Sequence, residues 1–95
     1  MKEIFFDWDQ WNIQKNEVKH GISRQEAESA FYDPCFRIFK DEKHSVSEDR
    51  WIAFGESAYN SILMIAFTVR NDKIRIISAR KASKRERDIY ETKKK

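Results

Sequence analysis

Between Ile62 and Lys81 the chain reads ILMIAFTVR, then Asn71-Asp72-Lys73-Ile74, which can turn, and then resumes an extended pattern in IRIISARK. Two extended arms around a short polar reversal predict a β-hairpin. The β-branched residues Ile62, Ile65, Thr68, Val69, Ile74, Ile76 and Ile77 favour strands, because branched side chains pack well on a pleated surface. No polar residue interrupts Ile62 to Phe67, so this arm is expected to be a central strand covered on both faces. The second arm alternates: Ile74, Ile76, Ser78 and Arg80 share one face, and Lys73, Arg75, Ile77 and Ala79 the other. Unless a bulge intervenes, Arg75 and Arg80 therefore leave the sheet on opposite sides.

Ninety-five residues are expected to form one domain, spanning residues 1–95, with little room for a second core. With 40% hydrophobic and 37% charged residues the chain is too apolar for generic disorder. No segment supplies the ~20 apolar residues that span a bilayer, and MKEIFFDWD has no secretory hydrophobic stretch. A membrane partner is not expected. The single cysteine, Cys35, cannot make an internal disulfide, so a reducing, cytoplasmic setting is expected. Residues 1–49 carry seven Lys/Arg against eleven Asp/Glu, and residues 50–95 carry twelve against five. Such asymmetry can steer an anionic partner, with nucleic acid the obvious candidate, or it can compensate itself within the fold.

From the start, Ile4 to Trp8 reads as a short strand. Asp9 can cap a helix in which Trp11, Lys15 and Val18 share a stripe, and Gly21 supplies its stop, with Lys19 and His20 at the end that favours cations. Ser23 and Glu26 form a capping-box pattern for a second helix that turns Ala27, Ala30 and Phe31 to a core, and Asp33-Pro34 closes it. Cys35 to Phe39 is expected as a short edge strand. The polar segment KDEKHSVSEDR is a loop, and Trp51 to Gly55 is a strand that reverses around Ser57 to Asn60. Ser83 and Glu86 repeat the capping-box pattern ahead of a last helix anchored by Ile89 and Tyr90, and Lys93 to Lys95 form an exposed tail. Strand, helix, helix, then four sequential strands and a helix imply an α+β domain: two N-terminal helices packed on a mainly antiparallel sheet, with a C-terminal helix.

One Cys and two His cannot make a conventional zinc site, and neither Gly21 nor Gly55 starts a phosphate-binding loop, so no metal and no cofactor are expected. RNA cleavage remains chemically accessible without a metal. A base takes the proton from a ribose 2′-hydroxyl, which attacks the adjacent phosphate. An acid protonates the leaving oxygen, and cations stabilise the transition state. Arg50, Arg70, Arg75 and Arg80 offer permanent charge in or beside the strands, and His20, His44, Glu48 or Tyr90 can take part in proton transfer.

The chain resembles the BrnT-type ribonuclease toxins of bacterial type II toxin–antitoxin systems. The matching words are Phe6-Asp7-Trp8-Asp9, Trp11-Asn12-Ile13, Asn16, Lys19-His20-Gly21-Ile22-Ser23, Glu26-Ala27, Phe31 with Asp33-Pro34, His44, Glu48 with Arg50, Gly55, Thr68 with Arg70, Arg75-Ile76-Ile77-Ser78-Ala79-Arg80, Glu86-Arg87 and Tyr90. They fall in family order over almost the whole chain. Many members carry Pro-x-Lys after the early Trp-Asp; here those positions hold Gln10 and Asn12, which weakens any carry-over of a role for that lysine. The resemblance implies a RelE-like fold and a metal-independent endoribonuclease that inhibits translation by RNA cleavage. It also implies a cognate BrnA-type antitoxin, and contact with operator DNA only through the toxin–antitoxin complex. Expected catalytic residues are His20, His44, Glu48, Arg75 and Arg80, and expected RNA contacts are Lys19, Arg50, Arg70 and Tyr90. The alternative is a catalytically silent, antitoxin-regulated or nucleic-acid-binding protein.

Overall fold

A computed structural model describes residues 3–8 and 10–94, and the side chains of all of these except 10–13, 93 and 94. Helices α1 (Gln10–His20) and α2 (Arg24–Ala30) precede strand β1 (Arg37–Lys40), and a 3₁₀ turn, Glu42–His44, follows it. Strands β2 (Trp51–Glu56), β3 (Ile62–Arg70) and β4 (Lys73–Lys81) come next, and helix α3 (Lys84–Lys94) closes the order. The four strands lie side by side in chain order, each antiparallel to its neighbour. The expected N-terminal strand is reduced to a bridge at Phe6, parallel to Ile74 on the outer edge of β4. Its backbone bonds run from Ile74 N to Phe5 O (2.9 Å) and from Asp7 N to Ile74 O (2.8 Å).

The core lies between the sheet and the first two helices. Ala53, Leu63, Ile65, Phe67, Ile76 and Ala79 face Ile22, Ala27, Ala30 and Phe31. Gly55 is required here, because a Cβ would sit 2.7 Å from a Phe36 ring carbon and 2.8 Å from the Ala30 carbonyl; α2 packs directly on the β2 backbone. Rings of Phe6, Phe36 and Phe67 surround Phe31 at 4.7 to 5.2 Å between centroids, the spacing of attractive aromatic pairs. On β3, Leu63, Ile65 and Phe67 are buried while Ile62, Met64 and Ala66 are half-buried, so the strand is closed on one face and only partly covered on the other.

Local chemistry sets the ends of the elements. The hairpin turn is two residues rather than four: Asn71 and Asp72 both take positive φ, 51° and 63°, the left-handed pair whose twist matches a β-hairpin. Gly21, at φ 69°, ends α1. Ser23 Oγ accepts from Glu26 N (3.1 Å), but the Glu26 carboxylate turns away and accepts from Ser57 Oγ (2.8 Å). The α3 box is reciprocal: Glu86 N donates to Ser83 Oγ (3.2 Å) and Ser83 N to Glu86 Oε1 (2.8 Å).

Two further expectations need correction. Val18 is 89% exposed, and among the described side chains of α1 the buried one is Asn16. Asp9 and the side chain of Trp11, expected to cap and pack this helix, lie outside the described residues, as do the side chains of the lysine tail. Secondly, the β3–β4 register steps from Ala66↔Ser78 to Phe67↔Ile76, leaving Ile77 as an extra residue. This bulge breaks the straight alternation. Ile76 and Ala79 both turn into the core, while Arg75, Ser78 and Arg80 pair with Thr68, Ala66 and Met64 and so share the opposite face.

Candidate functional site

Three of the expected arginines and one expected carboxylate meet where the β1–β2 loop and the β3–β4 turn adjoin. Arg70 grips Glu48 with two bonds, Nε to Oε2 at 3.0 Å and Nη2 to Oε1 at 2.7 Å. Those bonds hold the Glu48 carboxyl below its ordinary pKa; desolvation opposes the shift, and the charges of Arg70, Arg50 and Arg75 add to it. Arg75 Nη2 donates to Asp7 Oδ2 at 3.1 Å, a partner 68 positions away. The Thr68 hydroxyl, opposite Arg75, donates to the Asp49 carbonyl at 2.7 Å and ties the loop to the sheet.

His44 belongs to that same loop. Its Nδ1 lies 2.8 Å from Asp41 Oδ2, and 57% of its side chain is exposed. A carboxylate can only accept, so Nδ1 carries the proton and Nε2 is left for proton transfer, the orienting device of many acid–base histidines. The loop is fastened to Arg50: Arg50 N donates to Ser45 Oγ (3.0 Å), and Asp41 N donates to the Arg50 carbonyl (2.9 Å). One short segment therefore carries an oriented imidazole, a carboxylate and an arginine.

The other expected residues lie elsewhere. Arg80 is clasped by Glu86 through two bonds of 2.8 and 2.9 Å at the far end of β4, and its hydrogen bonds hold Glu86 below the ordinary carboxylate range. Tyr90 is 0% exposed, and its hydroxyl donates at 2.5 Å to Asp33 Oδ2, which also accepts from Glu56 N at 2.7 Å. Burial, with the Asp33 bond adding to it, pushes the Tyr90 phenol above its ordinary pKa. This side chain anchors α3. Lys19 and His20 line a cavity between α1 and the β4 bulge. Among the described residues, no group of three or more His, Cys, Asp or Glu side chains is placed to hold a metal ion, and no helix is long and apolar enough to cross a membrane.

Sequence reasoning passed over Asp7, Asp41 and Asn16 as partners. Asp41 precedes His44 by three residues, a spacing that could have signalled the pair. The Asp7 contact arises only from the parallel bridge at Phe6, which no local pattern announces.

Comparison with known proteins bears on the family and the fold. A family model described as the ribonuclease toxin, BrnT, of a type II toxin–antitoxin system matches residues 8–86. Among solved structures, the crystal structure of the Brucella abortus ribonuclease toxin BrnT aligns with a TM-score of 0.64 at 25% identity, covering 86% of this chain and 100% of that one. No curated protein matches the chain.

Proposed function

Because the chain belongs to the BrnT family of ribonuclease toxins of type II toxin–antitoxin systems, we propose that it cuts RNA with Glu48 and the arginines around it, Arg50, Arg70 and Arg75, together with His44 of the same loop. Membership also implies an antitoxin partner. The observation that carries the reading is that the β1–β2 loop bears both His44, oriented by Asp41, and Glu48, a carboxylate held among three arginines.

In this reading an RNA phosphate exchanges onto the Arg70 guanidinium. Glu48 then loses the bonds that depress its pKa and gains basicity as the 2′-hydroxyl arrives. His44, entering the step as the imidazolium with Nδ1–H held by Asp41, delivers its Nε2 proton to the leaving oxygen, and Arg50 and Arg75 stabilise the charge that builds on the phosphoryl oxygens. No step needs a metal, so activity should survive chelator. The resulting RNA cleavage inhibits translation in the cytoplasm, the antitoxin is of the BrnA type, and operator DNA is met only through their complex.

A second reading, a catalytically silent binding protein, is favoured by one observation. Arg70, Arg75 and Arg80 each already hold a carboxylate of this chain, as in a purely structural ion-pair network.

Cleavage of an RNA substrate by wild-type, His44→Gln and Glu48→Gln proteins, with chelator present, separates the two. On the first reading each variant loses about 100-fold or more in kcat, with circular dichroism and Tm close to wild type. Wild-type turnover in both variants overturns this site, and salt-sensitive RNA association without product favours the silent protein.

A further inference from the structure

The C-terminal half of α1 and the bulge of β4 enclose a cavity of about 230 Å³ lined by Lys15, Asn16, Lys19, His20, Ile77 and Ser78. We propose that this cavity is a second phosphate site, gripping a backbone phosphate of the RNA away from the scission centre. It rests on the ribonuclease reading and adds where that substrate is held.

Charge is the first argument. The lining contains two lysines and a histidine but no carboxylate. Among the described residues, Lys15, Lys19, His20 and Ser78 make no side-chain hydrogen bond or ion pair, whereas Arg70, Arg75 and Arg80 are each matched by an acid. Lysines four apart on a helix stand on one face, so Lys15 and Lys19 repel each other until an anion lies between them. The end of α1 accounts for Lys19 and His20, since cations are favourable near a helix C-terminus, but Lys15 lies a turn earlier, where that effect has faded.

Rigidity is the second. Asn16 forms a fixed wall: its Oδ1 accepts from Ala79 N at 2.8 Å and its Nδ2 donates to the Ile22 carbonyl at 3.2 Å. The extra residue Ile77 re-aims the strand beside it, as bulges next to binding sites do. The Ser78 hydroxyl adds a neutral donor to the ammonium groups, a set suited to phosphate oxygens. Ser78 and Arg75 share a sheet face three residues apart on β4. That is about 10 Å at strand rise, so a single RNA strand following this edge meets both sites.

Two measurements with uncleavable ligands test this. Inorganic phosphate, titrated at constant pH and ionic strength, should move the His20 imidazole resonances, and a Lys15→Gln, Lys19→Gln double variant should abolish the movement. Both lysines are exposed, so the variant keeps its fold. For a 2′-O-methyl RNA oligonucleotide, the slope of log Kd against log salt should be shallower in the double variant by about 0.7 to 1.4, one or two fewer phosphate contacts. Unmoved His20 resonances in the wild type overturn the phosphate site, and equal salt slopes overturn its assignment to RNA. Absence of RNA cleavage by the wild-type protein bears on the scission centre alone, because neither measurement depends on turnover.

Discussion

Asn16 shows how much one buried amide can fix. Its two bonds join α1, the turn into α2 and the backbone of β4. Asn16→Ala leaves a buried N–H and a buried carbonyl without partners, at about 1–3 kcal/mol for each such group. A loss of roughly 2–4 kcal/mol in urea-unfolding free energy is expected, and a loss below about 1 kcal/mol would show that water replaces both bonds. The sequence offers no sign of this, since a polar residue on a helix reads by default as solvent-facing. Val18 is the converse, an apolar residue left outside. With a polar helix such as QWNIQKNEVKH, hydrophobic spacing is too sparse to choose the buried face. The arginines were legible as cations, but their partners were not, because Asp7 and Arg75 meet only through tertiary pairing.

Elements with their own local chemistry were read well. Both Ser N-caps and the hairpin follow from residues within a few positions of one another. The turn still carries strain that local chemistry can relieve. Asp72 holds φ 63°, which Gly adopts at no steric cost, and its side chain is exposed. Asp72→Gly should therefore stabilise the protein by about 0.5 kcal/mol, or roughly 2–4 °C in Tm by calorimetry; a lower Tm would show that the Asp72 side chain contributes more than its backbone strain costs. The β4 bulge was not readable. Isoleucines at 74, 76 and 77 satisfy both strand phases, so a straight strand and a bulged one fit the pattern equally. Only packing decides, by burying Ile76 and Ala79 together. The consequence reaches the site, because it moves Arg75, Ser78 and Arg80 onto a common face.

At the scale of the molecule, the acidic first half and basic second half are folded against each other. Glu48 with Arg70 and Asp7 with Arg75 are pairs between the halves, so part of the sequence asymmetry is spent internally. Glu48 and Glu86 have depressed pKa values, so their contribution is complete above the unfolded value of 4.5 and disappears as pH falls through the folded values. Tyr90 is raised, so its contribution is complete below 10.0 and disappears as pH rises beyond it. Thermal unfolding should show a Tm plateau over about pH 5–9 with losses on both sides. Tyr90→Phe should remove the alkaline loss while lowering stability at neutral pH by about 1.5 kcal/mol, the worth of a hydrogen bond to a carboxylate; an unchanged alkaline limb would locate that titration elsewhere. The margins of the sheet also differ. The β4 side is stopped by backbone bonds from Phe5 and Asp7 near its start and by the Asn16 amide near its end. Any extended peptide that lengthens this sheet, whether a neighbouring copy in a fibril or a docking tail, must therefore join along the four residues Arg37–Lys40, a stretch too short and too cationic to template self-stacking.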